Sequence, residues 1–497
     1  MPSIRTTTAP TWSATARRAA EPLRAGAFAL AVAVLELVLA HAAVGPEIPH
    51  YLFLFVGLFV VALVFRFPLA TALVFFLLVD SVFTPTYFAH NVGALSVRPY
   101  EVALACLLAL ALVRPRQRTW GGPVGLALAI FLALVTISAA LAVKSGSASL
   151  TEAFNWARPL SLLTFFYVVI RLFPSVEQRR LLLTGVAIMA ACTGLVALLI
   201  STAGAFPSIA ASARAALTGQ EGAESIERVR LAGLSAGYAL FWFCVVQVAT
   251  RRGRARLGWS ALLLGIAVDI ALSFNRNMWL GLLVGAVLMA VLGGTFIRSR
   301  MAVGTAAMVA GVALLIAFGS ATTQSSVVRP IVERGGTILN PVRTAHESSL
   351  EERASETSKA WPFAERHPLL GVGAGAPFGV YANHPVESGT LLVGVTVAPQ
   401  LFLHNQYLYL VLISGLPGLI AFLFFLGSPL AAAVRRSPRD PAIAACGIGI
   451  ALIMVSAVVA IYFTTEDMTA VLGLLTGVIV ADRGSRAAAG EPSGLAP

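Results

Sequence analysis

The sequence predicts an all-α polytopic membrane protein, with about 12–14 transmembrane helices and one large extracytoplasmic loop. Three observations lead there. The 497 residues are 58% hydrophobic and only 12% charged, with a mean hydropathy of +0.84, values no soluble domain of this size shows. Apolar stretches near the ~20 residues a helix needs to cross a bilayer recur from end to end, whereas a β-barrel would show short alternating segments. Arginines gather in the short links between alternate stretches, as they do in cytoplasmic loops. That same bias accounts for most of the net charge of +12, so the basic balance implies no nucleic-acid partner. Cys106, Cys192, Cys244 and Cys446 all fall within apolar stretches and read as small hydrophobes, not as a disulfide framework or zinc site.

Taken in order, the elements begin with a basic segment, 1–25, carrying Arg5, Arg17, Arg18 and Arg24. The apolar run that follows is longer than a signal-peptide core, so it is expected to stay as the first span. The spans are expected at about 26–44, 51–65, 68–83, 100–113, 124–143, 159–173, 181–201, 231–249, 257–273, 277–295, 302–320, 406–428, 441–463 and 467–481. With the N-terminus in the cytoplasm, the inside loops hold Arg114/Arg116/Arg118, Arg171/Arg179/Arg180, Arg251/Arg252/Arg254/Arg256, Arg298/Arg300 and Arg435/Arg436/Arg439, and the C-terminal tail Arg483 and Arg486, while the outside turn 45–50 holds none. Two outside connections are long, 202–230 and 321–403, and long loops tend to be functional. Within the second, Ser348–Arg366 is rich in Glu, Ala and Arg and reads as a helix lying at the membrane surface.

On this topology three groups face the outside. Arg230 directly precedes a span. Arg276 sits in the very short turn Ser273–Trp279, close to the bilayer boundary, where an arginine is costly without an anionic partner. His404 ends the large loop, just before Asn405-Gln406-Tyr407. Guanidinium is the preferred partner of phosphate, because its planar fork donates two parallel hydrogen bonds, and histidine takes a proton near neutral pH. Together they suggest transfer of a group from a lipid diphosphate to an acceptor hydroxyl. The bland reading of each alone is an interfacial anchor or a structural histidine. Arg353 is a candidate third phosphate contact. Glu466 and Asp467, in the last outside turn, are the candidate carboxylates to orient His404. The five aspartates are scattered, with no Asp-x-Asp, so no metal site and no cofactor are expected, and arginines would have to stabilise the leaving diphosphate. Gly371-Val372-Gly373-Ala374-Gly375 lacks the strand–helix setting of a nucleotide loop and reads as a tight loop allowing close backbone approach.

Four ordered segments resemble the O-antigen ligase and O-antigen polymerase family of bacterial envelope glycosyltransferases. Arg230-Leu231-Ala232-Gly233 resembles its Arg-x-x-Gly before a span. Ser273-Phe274-Asn275-Arg276 resembles its Ser-Arg-Gly segment, with Phe-Asn standing between Ser and Arg. Arg353 to Trp361, then Pro368-Leu369-Leu370-Gly371-Val372-Gly373, resembles its Arg…Trp…Pro-x-x-Gly-x-Gly region. His404-Asn405-Gln406-Tyr407-Leu408 with Gly415 and Gly418 is similar to its His-Asn-x-x-Leu…Gly-x-x-Gly ending.

The resemblance implies a GT-C-like, metal-independent, inverting enzyme of the bacterial cytoplasmic membrane with its active site outside. Undecaprenyl-diphosphate-linked glycan would be the donor, and a lipid, polymer or protein hydroxyl the acceptor. It implies that Arg230 and Arg276 hold the diphosphate and that His404 is the base. The chain would then divide into a cytoplasmic segment (1–25), an N-terminal bundle (26–201), a catalytic region (202–428), C-terminal helices (429–481) and a cytoplasmic tail (482–497). Ligase and polymerase reactions remain alternatives. A transporter is the reading from a different class, but it would place its polar groups near the midplane of two related halves, and here they gather at one face without a repeat.

Overall fold

The computed structural model describes residues 67–79, 90–92, 95–113, 120–203, 233–273, 275–292, 348–382, 397–437 and 439–488. The expected spans at 26–44, 51–65 and 302–320 lie outside the described residues, as does Arg230. The other expected spans are helices: α1 (Pro68–Val79), α2 (Pro99–Val113), α3 (Gly122–Lys144), α4 (Leu150–Ser161) running through a 3-10 turn into α5 (Phe165–Leu172), α6 (Val176–Ala203), α7 (Leu234–Thr250), α8 (Gly253–Leu272), α9 (Arg276–Leu292), α11 (Gln406–Arg436), α12 (Pro441–Ser456) and α13 (Glu466–Ala488). Helix α10 (Ser348–Arg366) occupies the large loop where the sequence places it. Two antiparallel ladders of three residues a side are present, β1 (His90–Val92) with β2 (Leu95–Val97) and β3 (Val380–Ala382) with β4 (Val397–Pro399). They trim loops and leave an all-α polytopic membrane protein. Among the described residues, α3, the α4–α5 stretch and α11 are long and apolar enough to cross a membrane, and α1, α2, α7, α9 and α12 are apolar and shorter.

The α4–α5 stretch starts about two and a half turns earlier than its expected span. Ser149 and Glu152 form a reciprocal capping box that starts the helix at Leu150. Charge then hides the continuation from a hydropathy reading, because Arg158 is buried and paired with Glu101 at 2.9 Å.

Helix α13 is the axis of the bundle. Met468, Ala470, Val471, Leu472, Leu474, Leu475 and Ile479 are fully buried, and a helix apolar on all sides belongs at a centre. It packs on α5, α12 and α11. Gly473 and Gly477, four apart, set its backbone against the 3-10 turn and α5: a Cβ on Gly473 would lie 3.0 Å from the carbonyl oxygen of Leu163, and one on Gly477 2.8 Å from the Val169 Cβ. Small residues at this spacing let helices meet where lipid gives them little hydrophobic drive to associate. Leu126, Leu257, Leu264, Val287 and Ile420 are exposed on the outer helices, as a lipid-facing rim requires.

At one end of the bundle the buried Asp482 is shared by two guanidiniums, Arg179 at 3.6 Å and Arg436 at 3.2 Å. Arg179 also donates to the carbonyl oxygens of Phe173 and Pro174, at 3.1 and 2.8 Å. A buried charge left single would cost several kcal/mol, roughly 3–5, so the pairing fixes α6, α11 and α13 together at this end.

Helix α11 is broken once. Gly415 has φ 71° and ψ 177°, and the i→i−4 ladder opens there. The segment after α10 fills the gap. Leu416 N–H donates to the Pro368 carbonyl at 2.7 Å, and the Leu412 carbonyl accepts from Val372 and Gly373 N–H at 2.6 and 3.1 Å. The Ser138 hydroxyl donates to the Leu370 carbonyl at 2.5 Å, bringing in α3. The close approach explains the glycines. A Cβ on Gly415 would lie 2.1 Å from the Leu369 carbonyl oxygen, and one on Gly371 2.1 Å from that of Leu412. We predict that Gly415→Ala, strained in φ and in space, lowers stability by about 2–4 kcal/mol, read as reduced Tm of the detergent-purified protein. An unchanged Tm would mean that the 368–373 segment is not held by this break.

Candidate active site

The end opposite Asp482 collects helix N-termini. Asn405 caps α11, its side-chain oxygen accepting from Leu408 N–H at 3.2 Å. The Gln406 N–H donates to the Ala457 carbonyl at 3.0 Å and its side-chain amide to the Leu403 carbonyl at 2.6 Å. Phe402 stacks on Trp156, with ring centroids 6.4 Å apart. The segment bearing His404 is therefore tied to α4, α11 and the turn after α12. Asn275 caps α9, accepting from Asn277 N–H at 3.2 Å and donating to the Tyr462 hydroxyl at 3.3 Å. At the start of α7 the Ser235 hydroxyl donates to the Asp467 carboxylate, at the start of α13. Helices α7, α9, α11 and α13 thus point their N-termini to one end, and each adds partial positive charge there.

Helix α10 lies over this end, packed on α11. Its buried stripe is Glu356, Ala360 and Ala364, four residues apart, so a carboxylate occupies an apolar position. The side chain of Glu356 is 4% exposed, and its Oε2 lies 2.8 Å from Nδ1 of His404. The same oxygen receives the His404 backbone N–H at 3.4 Å. The His404 ring is itself 26% exposed, so the dyad opens to the surface through the histidine. A carboxylate on Nδ1 fixes the tautomer with Nδ1–H toward Glu356 and leaves the lone pair on Nε2, the form a base needs.

This arrangement corrects one expectation. The carboxylate on His404 is Glu356; Glu466 and Asp467 are engaged elsewhere. Glu466 pairs with Arg98, whose guanidinium also donates to the Tyr100 hydroxyl at 3.1 Å. Glu101, one turn along α2, accepts from the Arg98 N–H at 2.8 Å and pairs with Arg158. These ion pairs lock α2, α4 and α13 side by side. The signal for Glu356 was present in the chain: its spacing to Ala360 and Ala364 puts it on the apolar face of α10, where an acidic residue needs a partner.

The arginines divide. Arg276 is the first residue of α9, at the end described above. Arg230 lies outside the described residues, three positions before Gly233, whose φ of 86° opens α7 at this same end. Arg353 is half-buried on α10, one turn before Glu356 and Thr357, and lines a cavity of about 440 Å³ with Trp361 and Asn405. Among the described residues no three His, Cys, Asp or Glu side chains gather to hold a metal ion.

A family model described as O-antigen ligase matches residues 260–423. Over that stretch, about a third of its length, the chain is similar to the O-antigen ligase family. None of the curated proteins compared with it matches. The matched residues take in Arg276, Arg353, Glu356 and His404, and also the Gly415 break that seats α10. That similarity supports glycosyl transfer of the ligase or polymerase type as the activity class.

The Arg98–Glu466 pair tests what holds this end of the bundle in register. Glu466→Ala should leave Arg98 without its partner and lower stability by roughly 3 kcal/mol, read by thermal unfolding in detergent. A Tm equal to wild type would show that the pair carries no structural load.

Proposed function

We propose that this protein is a glycosyltransferase that moves a glycan from undecaprenyl diphosphate to an acceptor hydroxyl at the outer face of the bacterial cytoplasmic membrane. The observation that carries the reading is the His404–Glu356 dyad at the mouth of α11, within the residues that match the O-antigen ligase family. His404 Nε2 takes the proton of the acceptor hydroxyl. The oxygen attacks the anomeric carbon from the face opposite the diphosphate. The new C–O bond forms as the bond to the diphosphate oxygen breaks, and undecaprenyl diphosphate leaves with that electron pair, so the configuration inverts.

Glu356 is the positioning residue. It holds the reactive tautomer and stabilises the imidazolium once the proton has arrived, without touching the substrate. Arg230, Arg276 and Arg353 are the proposed partners of the diphosphate, whose charge grows as the bond breaks. The converging N-termini of α7, α9, α11 and α13 support them with fixed dipoles that need no reorganisation. No step calls on a metal.

His404→Ala should abolish transfer by purified protein supplied with lipid-linked glycan, and a wild-type rate would remove it as the base. Glu356→Gln should lower kcat by about 10²-fold while leaving KM for either substrate near wild type. A wild-type kcat would reduce the dyad to a structural contact. The product separates the two transfer types: a single added block marks a ligase, a ladder of repeats a polymerase.

A further inference from the structure

Helix α10 has a second face, of which the transfer step above uses only Arg353. Arg353, Thr357 and Trp361 follow at intervals of four and lie in one row, with Ser358 beside it. The row spans about 12 Å along the helix. It walls the cavity of about 440 Å³, with Asn405 and Val458 opposite. That volume is in the range of small-molecule sites. Glu356 turns to His404 from the neighbouring side of the same helix, and Asn405 directly follows His404, so the cavity adjoins the dyad.

The groups around it are unlike one another. Trp361 is 54% exposed, yet its indole N–H is held by the Glu365 carboxylate at 2.6 Å, which fixes the ring. The Thr357 hydroxyl donates to the Arg353 carbonyl at 2.8 Å and keeps its lone pairs to accept. Asn405 spends its carbonyl oxygen on the cap of α11, which leaves its amide N–H groups to donate. Hydroxyls, an amide and a guanidinium thus meet an apolar wall of indole and valine. A sugar ring has the matching chemistry: one or both faces are C–H surface that lies against an aromatic ring, and the rim is a circle of hydroxyls that both donate and accept.

We propose that the cavity between α10 and the turn after α12 is a saccharide subsite, in which the face of Trp361 stacks on a sugar ring whose hydroxyls meet Thr357, Ser358, Asn405 and Arg353. This rests on the transfer reading above. The ring belongs either to the donor glycan or to a sugar of the acceptor, and the two sources share the same contacts.

The test uses full-length protein immobilised in detergent and two probes: undecaprenyl diphosphate alone, and the lipid-linked glycan extracted from the source cells. Transfer is followed into an envelope fraction of the same cells. If the donor glycan occupies the subsite, Trp361→Ala lowers retention of the glycan-bearing lipid roughly three- to tenfold and leaves the bare lipid unchanged. If an acceptor sugar occupies it, both lipids are retained as by wild type and the envelope fraction needed for half-maximal rate rises by a similar factor. Trp361→Phe, which keeps an aromatic face, should recover most of either loss. Equal loss of both lipids would mark Trp361 as a membrane anchor and overturn the proposal. So would wild-type retention together with wild-type half-saturation. His404→Ala separates the two layers. It should stop transfer and still retain the glycan-bearing lipid through Trp361; normal transfer by that variant would sink the base assignment while the retention comparison still reads the subsite.

Discussion

A carboxylate removed from water has to find a donor, and the pairing of Glu356 with His404 is the constraint on which the rest of this site depends. The pairing joins two elements far apart in the chain. Helix α10 belongs to the large loop, whereas His404 belongs to the entrance of α11. If α10 lifted away, the carboxylate would lose its partner and the imidazole its orientation. The geometry of the candidate base is therefore tied to the docking of a loop helix and is not a property of the membrane bundle alone.

What docks α10 is a defect in α11. An unbroken helix would have offered no backbone groups to the loop, since each N–H and C=O would already be used. The left-handed turn at Gly415 frees the Leu416 N–H and the Leu412 carbonyl, and the 368–373 segment takes both. Non-helical backbone at such a depth is tolerated only where protein satisfies it, and the two broken strands of chain satisfy each other. The glycines at 371, 373 and 415 follow from this contact: their positive φ and the backbone atoms pressed against them leave no room for a Cβ. The Gly-x-Gly-x-Gly run is thus a fastening of loop to bundle.

Much of this was legible in the chain because membrane burial writes itself in long apolar runs. The described spans fall close to the hydropathy reading, and α10 covers Ser348–Arg366 as its composition implies. Legibility failed where a charge is buried in company. Arg158 hid the first turns of the α4–α5 stretch, because hydropathy scores a charge without knowing that Glu101 lies 2.9 Å away. Glu466 and Asp467 looked available to His404 because they sit in a turn at the right end. Their actual partners, Arg98 and Ser235, are more than two hundred positions away in sequence, and nothing local announces them. Glu356 was discoverable in principle from its place in the Ala360–Ala364 stripe, but a stripe says only that a side chain is buried, not against what.

The two ends of the bundle handle charge differently, and the difference bears on where chemistry takes place. At the Asp482 end one carboxylate binds two guanidiniums, and backbone carbonyls take further donors of Arg179, so cationic capacity is consumed inside the fold. At the His404 end the carboxylates Glu101 and Glu466 are taken by Arg158 and Arg98, and Glu356 by the histidine. With its acids so engaged, this end presents the N-termini of α7, α9, α11 and α13, and Arg276 begins one of those helices. An anionic headgroup arriving there meets aligned dipoles and does not have to displace a solvated carboxylate from any of the three. A cationic ligand would find the reverse. The internal pairing of acids thus keeps solvated negative charge away from this end, and it does so without placing more unpaired charge at the edge of the bilayer.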